Sequence, residues 1–268
     1  MGEAEAMAAV DEPVTAVTLV EDLQDIGVEH GDTVLVHSSM GSIGWVCGGA
    51  PAVVDALMEV ISPEGTLVMP TFTTQYSDPT DWENPPVPDD WIRTIRQSRP
   101  PYRPAVTPTR GMGAIPECFR SYPEVRRSRH PLYSVSAWGA NANSVVRGHA
   151  YDHGLGDDTP LAAVYALGGK VLQLGTDHKT NSSLHLAEYR AKTSTETVEH
   201  AIPVMVNGDR ERIEFVEVDW STEDFPALGE AFEREHEIEH GTVGAAETKL
   251  IDQRDLVDFG VEWLQEHR

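Results

Sequence analysis

The sequence predicts an α/β fold: a three-layer α/β/α sheet with an inserted Pro/Trp-rich excursion and, further on, a C-terminal β-hairpin plus helices. Three observations lead there. Short apolar runs suited to buried strands alternate with helical stretches. Polar and glycine-bearing segments follow the strand ends, which places functional residues at the carboxyl edge of such a sheet. Asn207-Gly208-Asp209 stands between two β-like runs, a strong hairpin signal.

Taken in order, residues 1–12 read as a frayed start, and residues 13–268 as a single domain, with two tightly joined lobes as the variant. Residues 14–26 have the spacing of an amphipathic helix, stopped by Gly27. Thr33-Val34-Leu35-Val36-His37 reads as a buried strand, followed by a glycine-bearing loop and a helix near residues 51–61. Thr66-Leu67-Val68-Met69-Pro70 is a second strand ending in another loop. Residues 79–108 are rich in proline and tryptophan; a structureless loop of that length is uncommon in a compact domain, so an ordered excursion over the site is expected. Residues 169–175 read as a short buried strand, 176–180 as a polar turn, and the stretch from Ser182 onward as a helix. Residues 201–206 and 213–218 are the hairpin strands.

The chain has 268 residues, of which 40% are hydrophobic, enough for a large core. No segment has the apolar length of a membrane span, and Met1-Gly2-Glu3-Ala4-Glu5 is acidic where a secretory signal would be basic, so a soluble cytoplasmic protein is expected, a monomer or a homodimer. Cys47 and Cys118 are too few for a disulfide framework and are expected as free thiols. The net charge of −24 argues against nucleic acid or an anionic membrane as partner. It suits either a polycationic small-molecule substrate or, since the acids are spread along the chain, a surface adapted to high salt.

Asn181-Ser182-Ser183-Leu184-His185-Leu186-Ala187-Glu188 gathers a hydroxyl, an imidazole and a carboxylate where a strand feeds a helix. Ser182, His185 and Glu188 stand three apart, on adjacent turns near a positively polarised N-terminus, where they could meet one ligand. The simpler alternative is that Asn181 or Ser182 only caps the helix and His185 only fills the core. A metal site built from Asp177, His178, His185 and Glu188 is the chemical rival, but the sequence has no H-E-x-x-H pattern and His149 and His153 are remote from this run; no metal is expected.

The run 181–188, continued by Tyr189-Arg190-Ala191, resembles the signature of the aminoglycoside 3-N-acetyltransferases, whose motif usually reads N-T-S-L-H-L-A-E. Further segments similar to the family are His37-Ser38-Ser39-Met40-Gly41-Ser42-Ile43-Gly44, Pro70-Thr71-Phe72-Thr73, and Ser77-Asp78-Pro79 with Pro85-Pro86-Val87-Pro88. Thr107-Pro108-Thr109-Arg110-Gly111-Met112-Gly113, Arg127-Ser128-Arg129-His130-Pro131, Gly241-Thr242-Val243-Gly244 and Leu256-Val257-Asp258-Phe259 continue the family's order. Ser182 stands where the family usually has Thr, keeping the hydroxyl but losing the methyl that fixes its rotamer.

The resemblance implies acetyl-CoA as co-substrate and an aminoglycoside amine as acceptor, with direct transfer in a ternary complex. Ser38, Ser39, Gly41, Ser42, Ile43 and Gly44 form one candidate cofactor loop, and Thr109, Arg110, Gly111, Met112 and Gly113 a second, with backbone N–H groups, hydroxyls and one cation to offer. His185 is the candidate general base, Glu188 the group that orients it or holds a substrate ammonium, and Ser182 the donor to the developing oxyanion or leaving thiolate. Tyr76, Asp78, Glu223 and Asp224 are candidates for contact with the polyamine, and His130 for support of the site. An acetyltransferase for another small-molecule amine, or a CoA-binding protein without turnover, are the alternatives.

Overall fold

The structure, a computed structural model, describes residues 2–83, 85–193 and 196–268; Met1 and Asn84, which fall within two segments read from the sequence, lie outside them. The elements run α1 (Glu3–Ala8), α2 (Ala16–Asp25), β1 (Thr33–Ser38), α3 (Ala50–Ile61), β2 (Thr66–Pro70), α4 (Asp89–Ser98), α5 (Ala114–Phe119), β3 (Arg126–Arg127), β4 (Val135–Gly139), α6 (Ala142–Val146), α7 (Pro160–Ala166), β5 (Lys170–Leu174), α8 (Ser183–Ala191), β6 (Thr197–Val206), β7 (Asp209–Val218), α9 (Phe225–Glu235), β8 (Glu239–Val243), β9 (Ala246–Asp252) and α10 (Gln253–His267).

The central sheet has the order β3-β4-β2-β1-β5-β9-β8. Its middle strands, β2, β1 and β5, are parallel, whereas β4 and β9 flank them antiparallel. The middle strands are buried on both faces, and their side chains alternate between two cores as the two-residue period of a strand requires. Leu35, Val68 and Val171 face one core with α6, α7, α8, α9 and α10. Val34, Val36, Leu67, Met69, Leu172 and Leu174 face the other with α2, α3 and α5. This is the three-layer arrangement expected. Capping sets the start of α2: Thr15 Oγ1 accepts from Thr18 N, an arrangement whose loss typically costs about 1 kcal/mol.

Within the N-terminal stretch, Glu3–Ala8 forms a short helix that buries no residue, and Trp45 Nε1 donates to Glu3 Oε1. The hairpin β6–β7 turns at Asn207 and Gly208, whose φ values of 51° and 95° are the left-handed pair that a two-residue turn matching strand twist needs. It forms its own two-stranded sheet and buries Ile202, Val204 and Phe215 against the first core. It is not the last β-structure: β8 and β9 follow and complete one edge of the main sheet. The Pro/Trp-rich excursion contains α4, and Tyr102 N donates to Pro203 O of the hairpin at 2.8 Å. The Arg127 guanidinium ties the end of the excursion down by donating to the carbonyls of Pro104, Thr107 and Thr71.

No helix of the described residues is long and apolar enough to cross a membrane.

Candidate active site

The parallel strands β1, β2 and β5 end at one edge of the sheet, and the residues just beyond them line a pocket of about 220 Å³. His37 and Ser38 come from β1, Pro70 and Phe72 from the end of β2, and Thr176, Lys179, Thr180, Ser182 and His185 from the turn after β5 and the first turn of α8. Gly111, Met112 and Pro116 close it from the segment leading into α5. Thr176 and Thr180 also line a neighbouring pocket of about 520 Å³, together with Ser42, Asp177 and Glu247, so the two adjoin.

At the start of α8, Ser182 is the N-cap residue, yet its hydroxyl makes no cap hydrogen bond. Asn181 Oδ1 accepts from Ser183 N at 3.0 Å and serves that end instead, which leaves the Ser182 hydroxyl to the pocket. His185 is 6% exposed, and its Nδ1 lies 3.1 Å from Glu188 Oε2 one turn later. The ring is fixed edge-on between Trp220 and Phe225, with centroids 4.5 and 5.0 Å away. Its Nε2 has no hydrogen-bond partner among the described residues and is the ring nitrogen left for the pocket that His185 lines.

Glu188, 2% exposed, lies under His185 and does not line the pocket. Its Oε1 accepts from Arg268 and from Ser221 N, so both carboxylate oxygens are occupied. Of the two roles read for it, orienting His185 is the one its position permits; a substrate ammonium has no access. Burial alone would raise the Glu188 carboxyl, but the hydrogen bonds from His185 and Arg268 outweigh it and hold the group below the usual carboxylate range.

His37, absent from the residues singled out, is a central part of the site. It is 7% exposed, lines the pocket, and its Nε2 accepts from Ser182 N at 3.2 Å. Burial first, and then the neighbouring imidazoles of His185 and His178, push it down to about 3, so it is neutral at ordinary pH. Its signal in the sequence was weak: a histidine at the end of a buried strand, before two serines, pairs with a residue far along the chain. Arg268, Trp220 and Phe225 were missed for the same reason.

The first candidate cofactor loop divides. Ser38 lines the main pocket and Ser42 the adjoining one. Ser42 Oγ donates to Ser39 Oγ at 2.9 Å, and the approach of Ser42 depends on Gly175, where a Cβ would meet Ser42 Cβ at 2.5 Å and φ is +67°. Gly41 lies in the 3-10 turn Met40–Ile43 between them. Ile43 is fully buried in the second core, and Gly44 is pressed against Val10, so neither side presents a side chain to a ligand. In the second loop, Gly111 and Met112 line the pocket with Gly113 next to them, whereas Thr109 is engaged through N and Oγ1 by Glu117 and the exposed Arg110 lies over the Trp82 ring. Ser38 Oγ and Thr176 Oγ1 are buried and have no partner among the described residues. Two such hydroxyls beside an open pocket suit the amides of an extended pantetheine arm.

The four substrate candidates do not line this pocket. Tyr76 is buried edge-on against Tyr102, with Arg99 over its ring, and lines a separate cavity under the excursion. Asp78 is held by Arg96 through both oxygens, and Asp224 by Arg268 in the same way. The Arg96 pair and Thr80 keep Asp78, against the effect of burial, down at about 2. Glu223 is exposed, and its N donates to Ser221 Oγ. The residues weighed as metal ligands diverge: His178 Nε2 meets Glu233 at 2.7 Å, and Asp177 accepts from Lys179 N. Among the described residues no group of three or more His, Cys, Asp or Glu is arranged to hold a metal ion.

His130 supports the site at one remove. It is fully buried, its Nδ1 accepts from Tyr133 N, and it stacks on the Tyr133 ring. Tyr133 OH in turn accepts from Trp220 Nε1, the indole that packs against His185.

Residues 35–265 match the family model described as aminoglycoside 3-N-acetyltransferase. An aminoglycoside N(3′)-acetyltransferase-like protein YokD of Bacillus subtilis, derived from the SPbeta prophage, is 46% identical over 94% of this chain and 92% of its own length. The crystal structure of YokD superposes with a TM-score of 0.94, covering 97% of this chain and 96% of that one at 44% identity. Aminoglycoside N(3)-acetyltransferase VII of Streptomyces paromomycinus is 34% identical, over 99% of this chain and 96% of its own. The structure of AAC-IIIb in binary complex with CoASH matches with a TM-score of 0.86 at 28% identity, covering 96% of this chain and 98% of that one. A family match over most of its length, with relatives that share its fold from end to end, establishes that this chain belongs to the aminoglycoside 3-N-acetyltransferase family of acyl-transferring enzymes.

Proposed function

We propose that the protein transfers an acetyl group from acetyl-CoA to the 3-amino group of a 2-deoxystreptamine aminoglycoside, by direct attack in a ternary complex with His185 as general base. The observation that carries this reading is the His185 Nδ1 to Glu188 Oε2 hydrogen bond, which leaves Nε2 for the pocket shared with Ser182. Bound acetyl-CoA supplies the thioester carbonyl. Ser38 and Thr176 offer the unpartnered hydroxyls that hold its arm, with Gly111 and Met112 beside them. The amine nitrogen forms the new C–N bond as His185 Nε2 takes its proton; the C–S bond then breaks and the imidazolium returns the proton to the thiolate. Glu188 holds Nδ1 as the donor and balances the positive ring; it does not touch substrate. Ser182 donates from its hydroxyl to the developing oxyanion or the departing sulfur. CoASH in the AAC-IIIb complex and the names of the relatives support donor and acceptor class.

The test is intact-protein mass after incubation with acetyl-CoA alone, followed by thiol release with a panel of amines. The account expects an unchanged mass and thiol release dependent on an aminoglycoside. An acetyl adduct on Ser182 that passes to amine at a competent rate overturns direct transfer, and turnover confined to other amines overturns the acceptor.

A further inference from the structure

His37 is held in one tautomer by the backbone. A backbone N–H can only donate, so the Ser182 N to His37 Nε2 hydrogen bond of 3.2 Å requires a lone pair on Nε2. In the neutral ring the proton is then on Nδ1, which has no hydrogen-bond partner among the described residues. The ring lines the same pocket as His185 and Ser182, and its residual exposure is 7%. Unlike His178 Nδ1, which is fully buried and unpartnered among the described residues, the His37 Nδ1–H keeps access to the pocket, where a ligand can supply its acceptor.

We propose that His37 is a catalytic residue of the transfer, donating Nδ1–H to the thioester carbonyl oxygen as that oxygen gains negative charge. This rests on the acetyl-transfer reading above. No bond to His37 forms or breaks and its proton stays in place; it stabilises charge while His185 carries the proton from nitrogen to sulfur. Neutrality suits the role. A cationic His37 would repel the imidazolium that His185 becomes, whereas a neutral donor stabilises the oxyanion without that penalty. Burial keeps His37 far less basic than an ordinary imidazole, so it does not compete with His185 for the amine proton. A purely structural histidine would need only its Nε2 lone pair, and an Asn side chain could accept from Ser182 N as well. A donor fixed on Nδ1 at the wall of the pocket that His185 and Ser182 share is what a structural role leaves unexplained.

The test has two arms. In ¹⁵N-histidine-labelled wild-type protein, long-range ¹H–¹⁵N correlations report the His37 tautomer directly. The proposal expects Nδ1–H, with its proton moved downfield by acetonyl-CoA, the unreactive ketone analogue, and not by CoASH, which lacks the carbonyl. An Nε2–H tautomer, or a proton indifferent to the ketone, overturns it. In the second arm, His37→Phe should lower kcat by about 10²–10³-fold with the Kd for CoASH unchanged, and His37→Asn, which keeps an acceptor and a donor, should recover about 10-fold of that loss. Normal kcat in His37→Phe overturns the proposal; if that variant does not fold, the wild-type spectrum decides. Should His185→Ala also keep its turnover, the general-base part of the reading above fails, and absence of thiol release from wild type with any amine sinks acetyl transfer itself, whereas an inactive His185→Ala beside a normal His37→Phe rejects only the role of His37.

Discussion

The guanidinium of Arg268 meets the carboxylate of Glu188 from a position 80 residues further along the chain, and the same carboxylate holds His185 through its other oxygen. Arg268 also clasps Asp224 and donates to Ser221 O, so one side chain fastens the segment carrying Trp220 and Ser221 to the base of the site. Arg268→Ala therefore removes the charge partner of a buried carboxylate and loosens the wall around His185. The expected outcome is a fall in kcat of about 10–100-fold and a stability loss of about 1–3 kcal/mol, with Arg268→Lys restoring part of both. Denaturant unfolding and steady-state kinetics check this; unchanged values in Arg268→Ala remove Arg268 from the account.

Glu188→Gln keeps the shape of the side chain but offers His185 Nδ1 an amide that can donate, which favours the wrong tautomer of the base. We expect kcat to fall by about 10²–10⁴-fold with the KM for aminoglycoside little changed, because Glu188 is buried beneath His185 and does not line the pocket. A KM effect alone would return Glu188 to the ammonium-holding role.

Acid should destabilise the fold through His37 and His130. Their folded values lie at about 3 and about 4, below the ordinary 6.5, so between these limits the unfolded chain binds protons that the folded chain does not. Stability that is complete above 6.5 is thus lost as pH falls towards the folded values, at about 1.4 kcal/mol per unit for each group. The unfolding free energy of His37→Asn should decline less steeply than that of the native protein from about pH 7 to about pH 4. Parallel declines would show that His37 is not held neutral.

A chain of net charge −24 repels itself in dilute buffer. If the surplus is a salt adaptation, Tm should rise from low salt to molar KCl while the KM for a 2-deoxystreptamine aminoglycoside increases, because screening relieves repulsion and weakens attraction together. A flat or falling Tm rejects the adaptation.

What was legible in the sequence follows from distance along the chain. β1, β2, β5 and the hairpin announce themselves by apolar runs and an Asn-Gly turn, and Ser182, His185 and Glu188 by their spacing on one helix. β8 was not read as a strand, because Glu239, His240, Gly241 and Thr242 are all exposed and the strand forms the outer edge of the sheet. α4 buries no residue and was submerged in the prolines around it. In the site, the Ser182–His37 contact spans 145 residues and the Glu188–Arg268 contact 80, and no local pattern encodes either. Asp78 and Asp224 looked available because their arginine partners, Arg96 and Arg268, lie 18 and 44 residues away.

The central claim is that His185 takes the amine proton. It is tested most directly by kcat for His185→Ala and His185→Asn beside the Kd for CoASH. The expected result is a kcat lower by about 10²–10⁴-fold with CoASH affinity nearly unchanged, since the proposed contacts to the arm, Ser38, Thr176 and the second loop, do not include His185. Near-normal turnover in either variant would contradict it.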